Sequence, residues 1–451
     1  MLRPFSACEQ KQLILAILFR QISIPKSFFF RLDIKENLMK KVLVVEDSAL
    51  VLKVMRRLIH DKGEFLADFA ESLQQAKELI GDEPSKYFAA MVDLNLPDAP
   101  KGEVVDLVLG FKIPTVVLTA SYDEKRRDEL FEKGIVDYVI KENRYSYDYA
   151  LKLMTRLSCN HKIKVLVVDD SLVARKQCSN LLKKYLFQVV EADGAKKAIR
   201  LLIDNPDIRL VITDYNMPEI DGFELVKLIR GKYDKQDLTI IGLSGDGNAS
   251  LSAKFIKNGA NDFLRKPFIQ EEFYCRIMHN IESLEAVEKI RDAANRDYLS
   301  GLYNRRYFYQ MAEKAISTHQ KNSQPYAIAI IEIDNFKAFN NVYHSYGDIV
   351  VKKFSKALMD YFDENSTGRL NGSEYVVMVN GLDQKEAFDL LDGFRDTVSK
   401  LSFEFGEEEK GMSVSVGLKS AEQESLTTIL QSCDDLLQRA QEAGQDIVLY
   451  E

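Results

Sequence analysis

Apolar residues come in unbroken runs along residues 39–283, and each run closes on a polar side chain. VLVV at 42–45 ends in Glu46 and Asp47, and VLVV at 165–168 ends in Asp169 and Asp170. Further runs close on Asp93 and Thr119 and, later, on Asp214 and Ser244. A run without polar alternation fits a strand buried on both faces of a parallel sheet. KKVLVVEDSALVLKVMRRLI at 40–59 and IKVLVVDDSLVARKQCSNLL at 163–182 align throughout, so one unit occurs twice. Helical segments separate the strands of each copy, which predicts two doubly wound, flavodoxin-like α/β sheets.

From Gln270 to Arg296 no glycine or proline interrupts the chain, and Ile277, Ile281, Leu284, Val287 and Ile290 recur at helical spacing. The helix this predicts either pairs two chains into a homodimer or packs on its own domain. Beyond it the pattern changes. The apolar stretch YAIAIIEI, the hairpin signal RLNGSEYVVMV and the stretch MSVSVGL predict an α/β domain whose central sheet is mainly antiparallel. The predicted organisation is an extension at 1–38, a first domain at 39–158, a second at 161–283, a helical linker at 284–296 and a last domain at 297–451. In the extension LILAILF is apolar for only seven residues, against about 20 for a membrane span, so it reads as an interfacial helix or a poorly ordered lead.

Composition narrows the function. The 451 residues exceed one ordinary core and fit about three domains. A net charge of -8 argues against nucleic acid as the main partner, because phosphate backbones select basic surfaces. The five cysteines and five histidines are scattered without ligand spacing, which argues against a zinc site and reads as reduced thiols in the cytoplasm.

In parallel sheets the reactive groups gather at the carboxyl ends of the strands. Glu46, Asp47 and Asp93 are therefore expected to converge, as are Asp169, Asp170 and Asp214. Three carboxylates repel one another unless a cation neutralises them, and an all-oxygen set with room for water suits Mg²⁺. A carboxylate so placed can take up a phosphoryl group, with Thr119 and Lys141, or Ser244 and Lys266, supplying a hydroxyl and a cation. On these residues both copies resemble the receiver domains of two-component response regulators. The resemblance implies Asp93 and Asp214 as phosphoacceptors, Tyr138 and Phe263 as switch aromatics, and a histidine kinase or phosphotransfer protein as donor. The first copy departs at Glu46, where aspartate is commoner, and at Glu142, where the family has a proline that is often cis and aims the lysine.

DYLSGLYNRRYF at 297–308, the strand at 326, YGD at 346–348, the hairpin and the C-terminal segment resemble in order the GGDEF domain of diguanylate cyclases. Those enzymes join two GTP molecules into cyclic di-GMP. The resemblance puts the metal ligands at Glu332 and at the neutral Ser373. It puts the signature turn at Asn371, Gly372, Ser373, Glu374 and Tyr375, and the guanine contacts at Asn340 and Asp348. The two phosphate-binding cations fall on Gln441 and Gln445, four apart on one helix face. Losing two charge-assisted hydrogen bonds of about 1.5–3 kcal/mol each would cost on the order of 10² to 10⁴ in rate or affinity. The product-inhibition motif would fall at 362–365, which reads FDEN and lacks the arginine. The expectation is a response regulator with a degenerate GGDEF domain that binds GTP weakly at best and acts on an unidentified downstream protein. The alternatives are an active, phosphorylation-controlled diguanylate cyclase and a phosphate sink.

Overall fold

The computed structural model describes residues 41–451 apart from 246–249, 323, 344–345, 363–365, 406–407 and 422–423. The extension at 1–38 and three of the four residues of FDEN lie outside the described residues. The chain divides into two compact units at Glu285 and Ala286.

The first unit holds two five-stranded parallel sheets of the same order. The first is built from β1 (Lys41–Val45), α1 (Ala49–Lys62), β2 (Leu66–Ala70), α2 (Leu73–Ile80), β3 (Tyr87–Asp93), α3 (Glu103–Gly110), β4 (Thr115–Thr119), α4 (Glu124–Lys133), β5 (Asp137–Ile140) and α5 (Arg144–Asn160). Its strand order is β2-β1-β3-β4-β5. The second repeats the sequence as β6 (Lys164–Val168), α6 (Leu172–Lys184), β7 (Gln188–Ala192), α7 (Ala195–Asp204), β8 (Ile208–Asp214), α8 (Gly222–Arg230), β9 (Thr239–Ser244), α9 (Ser250–Lys257), β10 (Asp262–Arg265) and α10 (Gln270–Asn295). Its order, β7-β6-β8-β9-β10, matches the first strand for strand.

The recurring pair of acids and serine has a local cause. Ser48 and Ser171 cap α1 and α6, accepting from Val51 N and Ala174 N. Their own backbone N–H groups donate to Glu46 and Asp169, at 3.3 and 2.9 Å. Strand end, turned acid and helix start are thus one folded unit, and each cap contributes about 1 kcal/mol. Gly222 plays a comparable part in the second copy. A Cβ there would lie 2.3 Å from the Asp214 carbonyl oxygen, so only glycine lets α8 begin so close to that acid.

The two sheets share one apolar core, in which Val42, Met91 and Leu153 of the first fold belong with Val165, Tyr185 and Ile241 of the second. Ile277 and Ile281 of α10 are buried in that core, and Leu284 one turn on is buried as well. Of the two readings of this helix, the one that packs it on its own domain holds for these residues, whereas Ile290 is 70 % exposed. Polar contacts reinforce the seam between the folds: Lys152 with Glu282 and Arg156 with Glu285, each 2.7 Å, and Arg127 with Glu271 at 3.5 Å.

The second unit carries β11 (Tyr303–Asn304), α11 (Arg305–Asn322), β12 (Tyr326–Ile333), α12 (Phe336–Val342), α13 (Gly347–Tyr361), β13 (Thr367–Asn371), β14 (Glu374–Asn380), α14 (Gln384–Ser399), β15 (Ser402–Phe405), β16 (Glu408–Gly411), β17 (Val414–Ala421), α15 (Leu426–Glu442) and β18 (Val448–Tyr450). Six of these strands form one sheet in the order β11-β13-β14-β12-β17-β18. Its central pairings are antiparallel and its two edge pairings parallel. Tyr375, at the end of the turn, is fully buried against Phe354 with ring centroids 4.6 Å apart, and so anchors the hairpin to the core. No helix among the described residues is long and apolar enough to cross a membrane.

Candidate functional site

In the first sheet Glu46 directly follows β1 and Asp93 ends β3, on neighbouring strands. Oxygens of Glu46, Asp47 and Asp93 lie within 4.8 Å of one another, as expected from the sequence. Lys141, just after β5, reaches both Glu46 and Asp93 at 2.7 Å. It does so although Glu142 follows it, so proline is not needed there for the lysine to find the acids. Burial raises the Glu46 carboxyl above the ordinary range despite the Lys141 ammonium beside it. The three converging carboxylates form an all-oxygen set that a hard divalent cation fits. Thr119 is buried at the end of β4, and its hydroxyl donates to Ser121 O at 3.1 Å.

The second pocket is built on the same plan with a different spacing. Lys266, which precedes the cis-linked Pro267, bridges Asp169 at 2.8 Å and Asp214 at 2.6 Å. Burial raises the Asp214 carboxyl. Ser244 is fully buried at the end of β9, and Phe263 packs its ring on Phe255 at 5.5 Å. Asp170 is exposed, and the trio Asp169, Asp170 and Asp214 is not drawn as close as the first one among the described residues. The expected three-way convergence is therefore met in the first copy, while the second gathers two acids around its lysine.

Between the two folds lies a buried acid that the sequence reading passed over. Asp137 accepts from Tyr138 N at 2.7 Å, from Tyr149 OH at 2.8 Å and from Tyr185 OH, in the second fold, at 3.4 Å. Burial pushes its carboxyl up to about 6, with Glu271 adding to the rise and the tyrosine and backbone donors opposing it. Because the folded value is raised, this group's stabilisation is complete below the unfolded pKa of about 3.9 and is lost as pH rises through about 6. Asp137→Asn should thus flatten the fall in stability between pH 4 and 7 by on the order of 3 kcal/mol, measured by urea unfolding. A slope unchanged from wild type would contradict this.

The third site is the hairpin of the second unit. Register places Glu332 of β12 opposite Glu374 of β14, with Ser373 in the turn between β13 and β14. Both oxygens of Glu332 are occupied: Ser373 Oγ donates to one at 2.9 Å and Gln441 Nε2 to the other at 2.7 Å. Asn371 Nδ2 donates to Glu374 at 2.6 Å. Burial, and next the charge of Glu332, raises the Glu374 carboxyl. A cleft of about 400 Å³ opens here, lined among others by Arg305, Glu332, Glu374, Asp434 and Gln441. The partners of Glu332 at positions 373 and 441 are thus a neutral hydroxyl and an amide NH₂, neither of them an anionic oxygen ligand of the kind a hard divalent cation prefers.

Gln445 does not share the helix face of Gln441. The helix α15 ends at Glu442, the chain reverses through Gly444, and Gln445 stands at φ +66° with its side chain accepting from Asn335 at 2.7 Å. The four-residue spacing implied a common face only for a helix that continued. Asn340 ends up against Gly347, where a Cβ would lie 2.1 Å from its Oδ1, and Asp348 is exposed in the first turn of α13.

Two further groups shape the hairpin. Asp334 accepts from Ser413 and Ser415, each at 2.7 Å, and from Asp446 N at 3.1 Å. Its place two residues after Glu332, directly beyond the end of β12, was a usable signal. Arg369 donates to Gly372 O at 2.6 Å and to Asp297 at 2.8 Å, a pairing across 72 residues that no local pattern announces.

Residues 165–278 match the family model of the response regulator receiver domain, and residues 294–446 that of the GGDEF diguanylate cyclase domain. The chain is 24 % identical over 299 residues to the response regulator PleD of Caulobacter vibrioides, covering 63 % of this chain and 65 % of that protein. It is 36 % identical over 103 residues to the two-component response regulator ORR5 of Oryza sativa subsp. japonica, 23 % of this chain and 77 % of that one. A crystal structure of a two-component system response regulator/GGDEF domain protein is similar at 46 % identity and a TM-score of 0.51, over 55 % of this chain and 99 % of the other.

Proposed function

The chain belongs to the two-component response regulator family, and from that premise we propose that phosphoryl transfer to Asp214 and Asp93 is its input and protein contact by the GGDEF domain its output. The first sheet acts as a second receiver, a reading supported by its identical strand order and by Lys141 bridging its acids. The donor is a phosphohistidine of a kinase or phosphotransfer protein. An Asp214 oxygen attacks phosphorus, the bond from phosphorus to the imidazole nitrogen breaks, and the electron pair leaves with the imidazole. Lys266 turns from Asp169 towards the new phosphoryl oxygens, and the Ser244 hydroxyl donates to them; Lys141 and Thr119 do the same at Asp93. Mg²⁺ held by Glu46, Asp47 and Asp93, or by Asp169, Asp170 and Asp214, would offset the negative charge that gathers on the transferred group.

The observation that carries the output reading is the closed Glu332 carboxylate. Its two oxygens are bound by neutral donors where the resemblance asks for a metal and, from Gln441, for a cation. The competing reading, an active cyclase, would keep Glu332 and Glu374 as metal ligands. Incubation of the full chain with GTP and Mg²⁺ after beryllofluoride activation separates them. The expected yield of cyclic di-GMP is at least about 10²-fold below turnover on the order of 1 s⁻¹; product formed at that ordinary rate establishes the cyclase instead.

A further inference from the structure

We propose that the two acid pockets of the first unit are thermodynamically coupled through Asp137, a positioning residue that ties the first pocket's switch to the helix beside the second. The inference rests on the reading that both pockets take a phosphoryl group. The link is continuous. Ser121 O accepts both the Thr119 hydroxyl and Tyr138 OH, each at 3.1 Å. Tyr138 N donates to Asp137, whose other oxygen takes Tyr149 OH and Tyr185 OH. Tyr185 is buried and directly follows α6, and Lys184 beside it donates to Phe131 O of the first fold at 3.2 Å. At its other end α6 is capped by Ser171, next to Asp169 and Asp170, and its Arg175 donates to Asp169 O at 2.5 Å.

The internal repeat supplies a control. Asp262 opens β10 as Asp137 opens β5, and each accepts from the backbone N–H of the following aromatic. Asp262 spends its remaining contacts on Arg276 and Asn280 of α10, within its own fold. Asp137, at the same place in the repeat, reaches across to the other sheet instead.

A phosphoryl oxygen on Asp93 is a stronger acceptor than a carbonyl, so it takes the Thr119 hydroxyl from Ser121 O. Tyr138 then reseats alone on that carbonyl, and the adjoining Asp137 moves with it. A buried carboxylate keeps its donors because leaving it unmet is costly, so Tyr185 and the end of α6 follow. Packed elements respond by switching between discrete arrangements, which carries the change along α6 to the backbone of Asp169. Linkage makes the effect reciprocal: filling the Asp214 pocket changes the affinity of the Asp93 pocket by the same factor.

The test uses the full chain with Mg²⁺ and beryllofluoride, followed by fluorine NMR, in which each filled pocket gives its own signal. The dissociation constant at the Asp214 pocket is expected to differ by about fivefold or more between the chain with its first pocket filled and the Asp93→Asn chain. Tyr185→Phe and Asp137→Asn should each bring that ratio close to one while the first pocket still fills. Equal constants in the unaltered chain, or a ratio that survives both substitutions, overturn the coupling. If Asp137 were merely structural, thermal stability would drop in its variant and the ratio would stay. No signal from the first pocket would defeat the underlying reading of that pocket, which two signals with invariant constants would leave standing.

Discussion

Asp214→Asn is expected to abolish phosphoryl labelling of the second pocket, with label on the peptide containing residue 214 falling by more than about 10²-fold when a small phosphodonor is supplied. Asparagine keeps the shape, and Lys266 can still be accommodated beside Asp169. What disappears is the anionic oxygen that attacks phosphorus, and an amide cannot form the acyl phosphate. The first pocket serves as the internal reference, since label on the peptide containing Asp93 should persist. Unchanged label at the second pocket would show that another side chain is the acceptor there.

The second large effect concerns the hairpin. Ser373→Asp combined with Gln441→Lys should tighten Mg²⁺-dependent GTP binding by about 10- to 100-fold, because one charge-assisted hydrogen bond contributes about 1.5–3 kcal/mol. Both positions now donate to Glu332, so the double variant trades two neutral donors for one anionic ligand and one cation at the same carboxylate. Without metal the new aspartate crowds Glu332 and Glu374, and the variant should melt below the parent chain until Mg²⁺ is added. Adding Gln445→Arg should change affinity less than about threefold, since that side chain lies beyond α15 against Asn335. Calorimetric titration with GTP, with and without Mg²⁺, measures the parent chain and both variants. A double variant that binds no better than the parent would mean that the cleft cannot admit a triphosphate whatever its charges.

Fold and site differed in how far they could be read from the chain. The parallel sheets were legible because a strand buried on both faces must be apolar at every position, as in VLVV, and because its final acid is turned by a serine that caps the next helix. The Glu332 site was half legible. Its altered residue types could be read directly, but the two hydrogen bonds that close the carboxylate depend on where a turn and a helix 109 residues away come to rest. Gln445 was misplaced for the same reason: a helical spacing describes neighbours only while the helix lasts.

By itself the sequence determined the repeat, the strand ends that carry acids, and the neutral residue types at positions 373 and 441, all properties of residue type and local periodicity. Only the tertiary structure decided that Lys141 reaches its acids without a following proline, that Ile277 and Ile281 go into the shared core, and that Asp137 meets Tyr185 of the other fold. These outcomes rest on contacts between segments far apart in the chain, where packing and burial select the partner and no local pattern records the choice.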